Sequence, residues 1–194
     1  SKYMSASSAN VSVSTSSVAK GETLVDTGRT IDMMGTDVII IRHSMSGAPH
    51  LLARNVNASV INAGDGMNEH PTQALLDMYT IADAFKGIDN LRIAMVGDLR
   101  YGRTVRSLSY LLTKYAGVEL VFVSPPVCKM EGDIKAYLEK YDVPWREEAD
   151  LDRIVPEVDC IYMTRIQKER FHNPEDYRTA AGKYILTPER VARM

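Results

Sequence analysis

Asn62-Ala63-Gly64-Asp65-Gly66-Met67-Asn68-Glu69-His70-Pro71-Thr72-Gln73 is the stretch on which the reading of this chain turns. It follows a short apolar strand candidate at residues 59–61 and runs into a helix candidate at 74–85. Gly64 and Gly66 let the backbone turn sharply where a side chain would clash. Pro71 suits a first helical position, because its missing N–H has no intrahelical partner to lose. His70 is then the N-cap and Gln73 the third helical residue, beside the exposed N–H groups of the first turn. The positive end of the helix dipole favours a neutral imidazole there, and a neutral imidazole can donate to a carbonyl oxygen. A histidine that merely caps the helix is the plainer alternative, and spacing alone leaves both open.

On either side of this stretch, strand and helix signals alternate. Residues 37–43, Asp37-Val38-Ile39-Ile40-Ile41-Arg42-His43, are a β-branched run. Such a run predicts a central parallel strand covered on both faces, with Arg42 at its carboxyl end. Functional groups of open α/β sheets gather at such ends. A helix is expected over 22–34, with Leu24, Thr27, Ile31 and Met34 on one face and Gly35 as its stop. A short helix follows at 46–54. The helix from Pro71 sets Leu75, Met78 or Tyr79, Ala82 and Phe85 along one stripe, and Gly87 ends it. Strands at 91–96, 118–123 and 158–163 then alternate with helices at 102–115 and 132–141, and Thr187-Pro188 opens a last helix. That rhythm argues for a parallel sheet wound with helices. Gly-x-Gly-x-x-Gly is missing after 91–96, which argues against nicotinamide binding.

Composition narrows the functional classes. The chain has 194 residues, 45% hydrophobic and 25% charged, as expected of a globular protein with a true core. A formal net charge of -2 supplies no global basic field for nucleic acid or a membrane surface. Neither partner is expected, and no run of residues reads as a bilayer span. Cys128 and Cys160 are too few for a disulfide framework and read as reduced thiols of a cytoplasmic protein. Residues 5–17 are crowded with Ser, Thr and Asn, consistent with a flexible linker or, at Val11-Ser12-Val13-Ser14, a strand end. Lys168-Glu169-Arg170 and Glu147-Glu148 read as solvated faces, and Trp145 as a packing residue at a strand edge. Arg103 and Arg165 follow two of the expected strands. They suit structural ion pairs or a clamp for a dicarboxylate, since each guanidinium can grip a carboxylate with two hydrogen bonds.

His70-Pro71-Thr72-Gln73, with residues 62–66 before it, resembles the carbamoyl-phosphate motif of the aspartate carbamoyltransferase family. The stretches 16–23, 38–43, 96–105 and 162–170 match that family in the same order. The resemblance implies an α/β fold of two doubly wound parallel-sheet domains joined by a crossing helix. Residues 1–86 would be the carbamoyl-phosphate-binding domain and 87–194 the aspartate-binding domain. It implies transfer of the carbamoyl group of carbamoyl phosphate to L-aspartate, an early step of pyrimidine synthesis, with no metal and no cofactor. The catalytic residues would be Arg42, His70 and Gln73. Arg103, Arg165 and Gln167 would hold aspartate, and Ser16 and Lys20 would reach a neighbouring subunit's site in a homotrimer. Regulatory chains accompany some members. Arg100 stands where many members have lysine.

The resemblance also implies a phosphate loop, Ser-Thr-Arg-Thr, before residue 1 and a closing loop, His-Pro-Leu-Pro, after residue 194. The chain therefore reads as a segment of a longer protein, with little or no turnover alone. A catalytically incomplete assembly segment is one alternative. Ornithine carbamoyltransferase is another, disfavoured by Arg165 and Gln167, because an extra arginine would repel a cationic side chain.

Overall fold

A computed structural model of the chain describes residues 5–11, 21–166, 168, 171 and 173–194. Two compact units separate by their contacts, Ser1–Asp65 and Gly66–Met194.

In the first unit α1 (Leu24–Met33) precedes strand β1 (Val38–His43), α2 (Ala48–Ala53) and β2 (Ser59–Asp65). The Thr23 hydroxyl caps α1 by accepting from the Asp26 N–H. Buried Gly28 lets α1 press onto α2, since a Cβ there would meet the Leu52 side chain at 2.1 Å. Asp32 accepts from the N–H groups of Asn57 and Ala58, fixing the entry into β2. The expected helix face holds through Ile31, but Met34 lies past the last turn and is exposed. β1 and β2 pair in parallel, from Val38 against Ser59 to Ile41 against Asn62. Cover on both faces of β1 is not what the structure shows. Its residues alternate between exposed and half-buried, and Ile40 is 69% exposed. Among the described residues β1 pairs with β2 alone, and α2 is the helix that packs on both strands.

The second unit opens with α3 (Pro71–Phe85), then β3 (Arg92–Val96), α4 (Arg103–Leu112) and β4 (Glu119–Val123). It continues with α5 (Gly132–Lys140), β5 (Trp145–Glu148), α6 (Leu151–Ile154), β6 (Cys160–Met163), α7 (Pro174–Ala180) and α8 (Pro188–Val191). The strands form one parallel sheet in the order β5-β4-β3-β6. Alternation along each strand splits the core in two. Ile93, Met95, Leu120 and Phe122 pack under α3, α4 and α5 with Met78, Leu108, Leu112, Ile134 and Leu138. Ala94, Val96, Val121 and Val123 face the other way, onto Leu151, Ile154, Val155 and Val158.

Contacts divide the chain at Asp65 and Gly66, because α3 packs on α4. One sequence expectation shifts here. The buried stripe of α3 is Ala74, Met78 and Ile81, while Leu75, Phe85 and Tyr79 are exposed, the last at 73%. This helix carries apolar residues on more than one face, and packing on α4 selects the face that is buried. Glu147 and Glu148 lie on β5, and Glu147 is exposed there and pairs with Lys129 and Lys135. Trp145 does pack as expected, its ring 6.2 Å from that of Phe122. Cys128 and Cys160 are free thiols, and burial pushes the Cys128 thiol up to about 12.

Candidate active site

The strand order determines where a ligand can sit in the second unit. From β3 the chain proceeds to β4 and β5 on one side, then returns to place β6 on the other. The crevice beyond the carboxyl ends of β3 and β6 is thus a topological switch point, where open α/β sheets bind ligands. A cleft of about 450 Å³ opens there, lined by Gly97, Met163, Thr164, Arg165, Tyr177 and Tyr184 among others. Gly97 ends β3 with φ of +115°, a conformation that side chains rarely adopt. A Cβ at this position would lie 2.4 Å from the Thr164 carbonyl oxygen. The two strand ends are laced together at this point. The Thr164 N–H donates to the Val96 oxygen at 2.8 Å, and the Thr164 hydroxyl accepts from the Asp98 N–H at 2.9 Å.

Both arginines singled out in this half leave the same edge of the sheet. Arg165 follows β6 and lines the cleft. Arg103 is the first residue of α4, just beyond β3, and its Nη1 donates to the Gly66 carbonyl oxygen at 2.7 Å. Tyr184, across the cleft, has its hydroxyl pushed up to about 12 by burial, with nearby carboxylates adding to the shift, and it donates to the Ala149 oxygen.

His70 caps α3 as the spacing predicted. Its Nδ1 accepts from the Gln73 N–H at 3.3 Å, so the ring proton sits on Nε2. The His70 N–H in turn donates to the hydroxyl of buried Ser107 on α4 at 3.0 Å, which ties the start of α3 to its neighbour. The Gln73 side chain donates from Nε2 to Asp77 Oδ1 at 2.9 Å, and the Tyr162 hydroxyl donates to Asp77 Oδ2 at 2.8 Å. Burial pushes the Tyr162 phenol up to about 12, the bond to Asp77 adds to this, and Thr104 opposes it.

Arg42 belongs to the first unit, at an irregularity in its small sheet. Ile41 pairs with Asn62 but His43 pairs with Asp65, so β2 carries an extra residue opposite Arg42. Gly64 takes up that residue with φ of +117°, and its N–H donates to Asn62 Oδ1 at 2.8 Å. Bulges of this kind re-aim a side chain at a strand end. Buried Asp65 accepts from the Gly47 N–H at 2.7 Å and holds the loop after β1. His43 has a local role, its Nδ1 accepting from the Met45 N–H.

The structure thus brings His70, Gln73, Asp77, Tyr162 and Ser107 into one network and sets Arg103 and Arg165 at neighbouring strand ends. Ser16, Lys20 and Gln167 lie outside the described residues. Ser107, Asp77, Tyr162 and Thr164 were missed as site residues. A Gln-x-x-x-Asp spacing at the start of a helix was the available clue for Asp77, since residues four apart on a helix face each other. Ser107 and Thr164 offered no comparable local signal.

A fold with this switch point and a histidine-capped helix has known relatives. The profile of the aspartate/ornithine carbamoyltransferase carbamoyl-P binding domain matches residues 1–83. The chain is similar to the aspartate/ornithine carbamoyltransferase family. Within it, the similarity is to the aspartate branch. The chloroplastic aspartate carbamoyltransferase of Arabidopsis thaliana is 51% identical over 92% of this chain and 46% of its own length. The aspartate carbamoyltransferase catalytic subunit of Acetivibrio thermocellus is 55% identical over 88% of this chain and 52% of its own. The crystal structure of the Trypanosoma cruzi aspartate transcarbamoylase in complex with N-(phosphonacetyl)-L-aspartic acid superposes with a TM-score of 0.86. It is 34% identical and matches over 95% of this chain and 60% of that one. The chain spans about half the length of the two sequence relatives.

Proposed function

We propose that the protein carrying this chain transfers the carbamoyl group of carbamoyl phosphate to the amine of L-aspartate, giving N-carbamoyl-L-aspartate and phosphate. The observation that carries the reading is the pair of arginines beyond the ends of adjacent parallel strands β3 and β6, in a chain similar to this family. A dicarboxylate with an amine suits such a clamp, since each guanidinium can take one carboxylate in a bidentate grip. Arg103 and Arg165, joined by Gln167, would align the amino acid for attack, and alignment alone supplies much of the acceleration in a two-substrate reaction.

As the amine attacks, the carbamoyl carbon becomes tetrahedral and charge grows on its oxygen. His70 would donate from Nε2 to that oxygen, and Arg42 would add its guanidinium. Preorganised donors of this kind favour the charged transition state over the neutral carbonyl. Gln73 would hold the carbamoyl nitrogen. The C–O bond to phosphate breaks, the phosphate departs with the electron pair of that bond, and the amine's proton passes to the departing phosphate.

A homotrimer, in which Ser16 and Lys20 serve a neighbour's site, belongs to the same proposal, as does a cytoplasmic location, which two free thiols favour. Sedimentation of the full-length gene product and fractionation of its cells check these two points. The activity is tested by supplying that gene product with carbamoyl phosphate and either L-aspartate or L-ornithine, then measuring carbamoylated product and phosphate. Turnover with aspartate alone is expected. Turnover with ornithine alone overturns the assignment.

A further inference from the structure

Both carboxylate oxygens of Asp77 are engaged, one by Gln73 Nε2 at 2.9 Å and the other by the Tyr162 hydroxyl at 2.8 Å. A carboxylate accepts hydrogen bonds and does not donate them. It therefore selects which end of the Gln73 amide faces it, the NH2, and turns the amide oxygen the other way. Without such a partner the two ends of an amide are nearly equal in size, and either can face a ligand. Tyr162, which completes the pairing, stands on β6 three positions before Arg165, so the same carboxylate links α3 to the strand whose end lines the cleft.

We propose that Asp77 is a positioning residue that holds the Gln73 amide oxygen as an acceptor for the NH2 of a carbamoyl group and ties that orientation, through Tyr162, to the end of β6. This rests on the reading of Gln73 as the residue that holds the carbamoyl nitrogen. An amide flipped the other way would set NH2 against NH2 and repel the substrate. A Gln–Asp pair one turn apart also steadies a helix slightly, and a role limited to that would leave turnover unchanged once the protein is folded.

The test is a double-mutant cycle in the full-length gene product, with Gln73→Ala, Asp77→Ala and the pair, read as kcat/KM for carbamoyl phosphate at saturating aspartate. Asp77→Ala is expected to lose about tenfold, the scale of one charge-assisted hydrogen bond, and to lose nothing further when Gln73 is already alanine. Effects that multiply overturn the inference, because they would mean that Asp77 acts independently of Gln73. Tyr162→Phe carries the same test with a milder change should Asp77→Ala fold poorly. Nitrogen-15 NMR of the Gln73 side-chain amide gives a readout apart from activity. Its two NH2 protons should be well separated in the native protein and collapse toward each other in Asp77→Ala, and an unchanged pair of signals overturns the inference. An inactive native enzyme would sink the carbamoyltransferase reading while the amide signals still reported on the Asp77 contact.

Discussion

Replacing Gly97 with alanine tests whether the junction of β3 and β6 is as tight as its geometry requires. The added methyl would lie 2.4 Å from the Thr164 carbonyl oxygen and 2.6 Å from its hydroxyl, against backbone that is itself hydrogen-bonded to Val96. Holding a non-glycine residue at this φ costs about 1–2 kcal/mol, and forcing apart a packed strand end costs about as much again. The sum is about 3 kcal/mol, which lowers the melting temperature of a chain this size by about 6–12 °C. Circular dichroism of the purified chain during heating measures it. Gly132→Ala is the matched control. Nothing lies within 4 Å of a Cβ there, and it opens α5, so alanine should be neutral or stabilise by up to about 1 kcal/mol. A Gly97→Ala chain that melts with the control would refute the reasoning. On the carbamoyltransferase proposal, the same change in the full-length gene product should raise KM for aspartate more than for carbamoyl phosphate, because Thr164 adjoins Arg165.

Two further perturbations probe the second unit. Phe122 is 1% exposed at the centre of the sheet and packs on Trp145, so Phe122→Ala should cost about 3–5 kcal/mol by chemical denaturation, with the loss carried by the midpoint. A hydrogen bond from Arg106 holds the Asp133 carboxyl below its usual value of 3.8, more than its partial burial raises it. A group depressed in the folded state contributes stability that is present above the unfolded value and lost as pH falls through the lower folded one. Asp133→Asn should therefore flatten the fall in stability below pH 3.8. With its side chain 50% exposed, the pair is worth well under about 1 kcal/mol. A slope unchanged in the variant would show that the pair adds nothing.

Local chemistry settled much of this protein in advance. Pro71 after His70 determines the start of α3, because a residue with no N–H and a fixed φ suits a first helical turn. Short continuous apolar runs declared the parallel strands β3, β4 and β6, and segments of helical period declared the helices between them, since both are legible within a single segment. What the residues could not declare is which face of α3 is covered. Leu75, Tyr79 and Ile81 are all apolar, and only packing against α4 buries Ala74, Met78 and Ile81 while the others stay exposed.

The site divides along the same line. His70, Gln73, Arg42, Arg103 and Arg165 stand out in the chain because a cap, a strand end and a charge are local facts. The carboxylate of Asp77, gripped by Gln73 four residues back and by Tyr162 far along the chain, belongs to the tertiary structure. So does the crevice, because the order β5-β4-β3-β6 is decided by which strands find each other's backbone groups and cover each other's apolar faces. Hydrogen bonds between distant segments leave no periodic trace in a sequence, and only the folded chain brings both partners to one place.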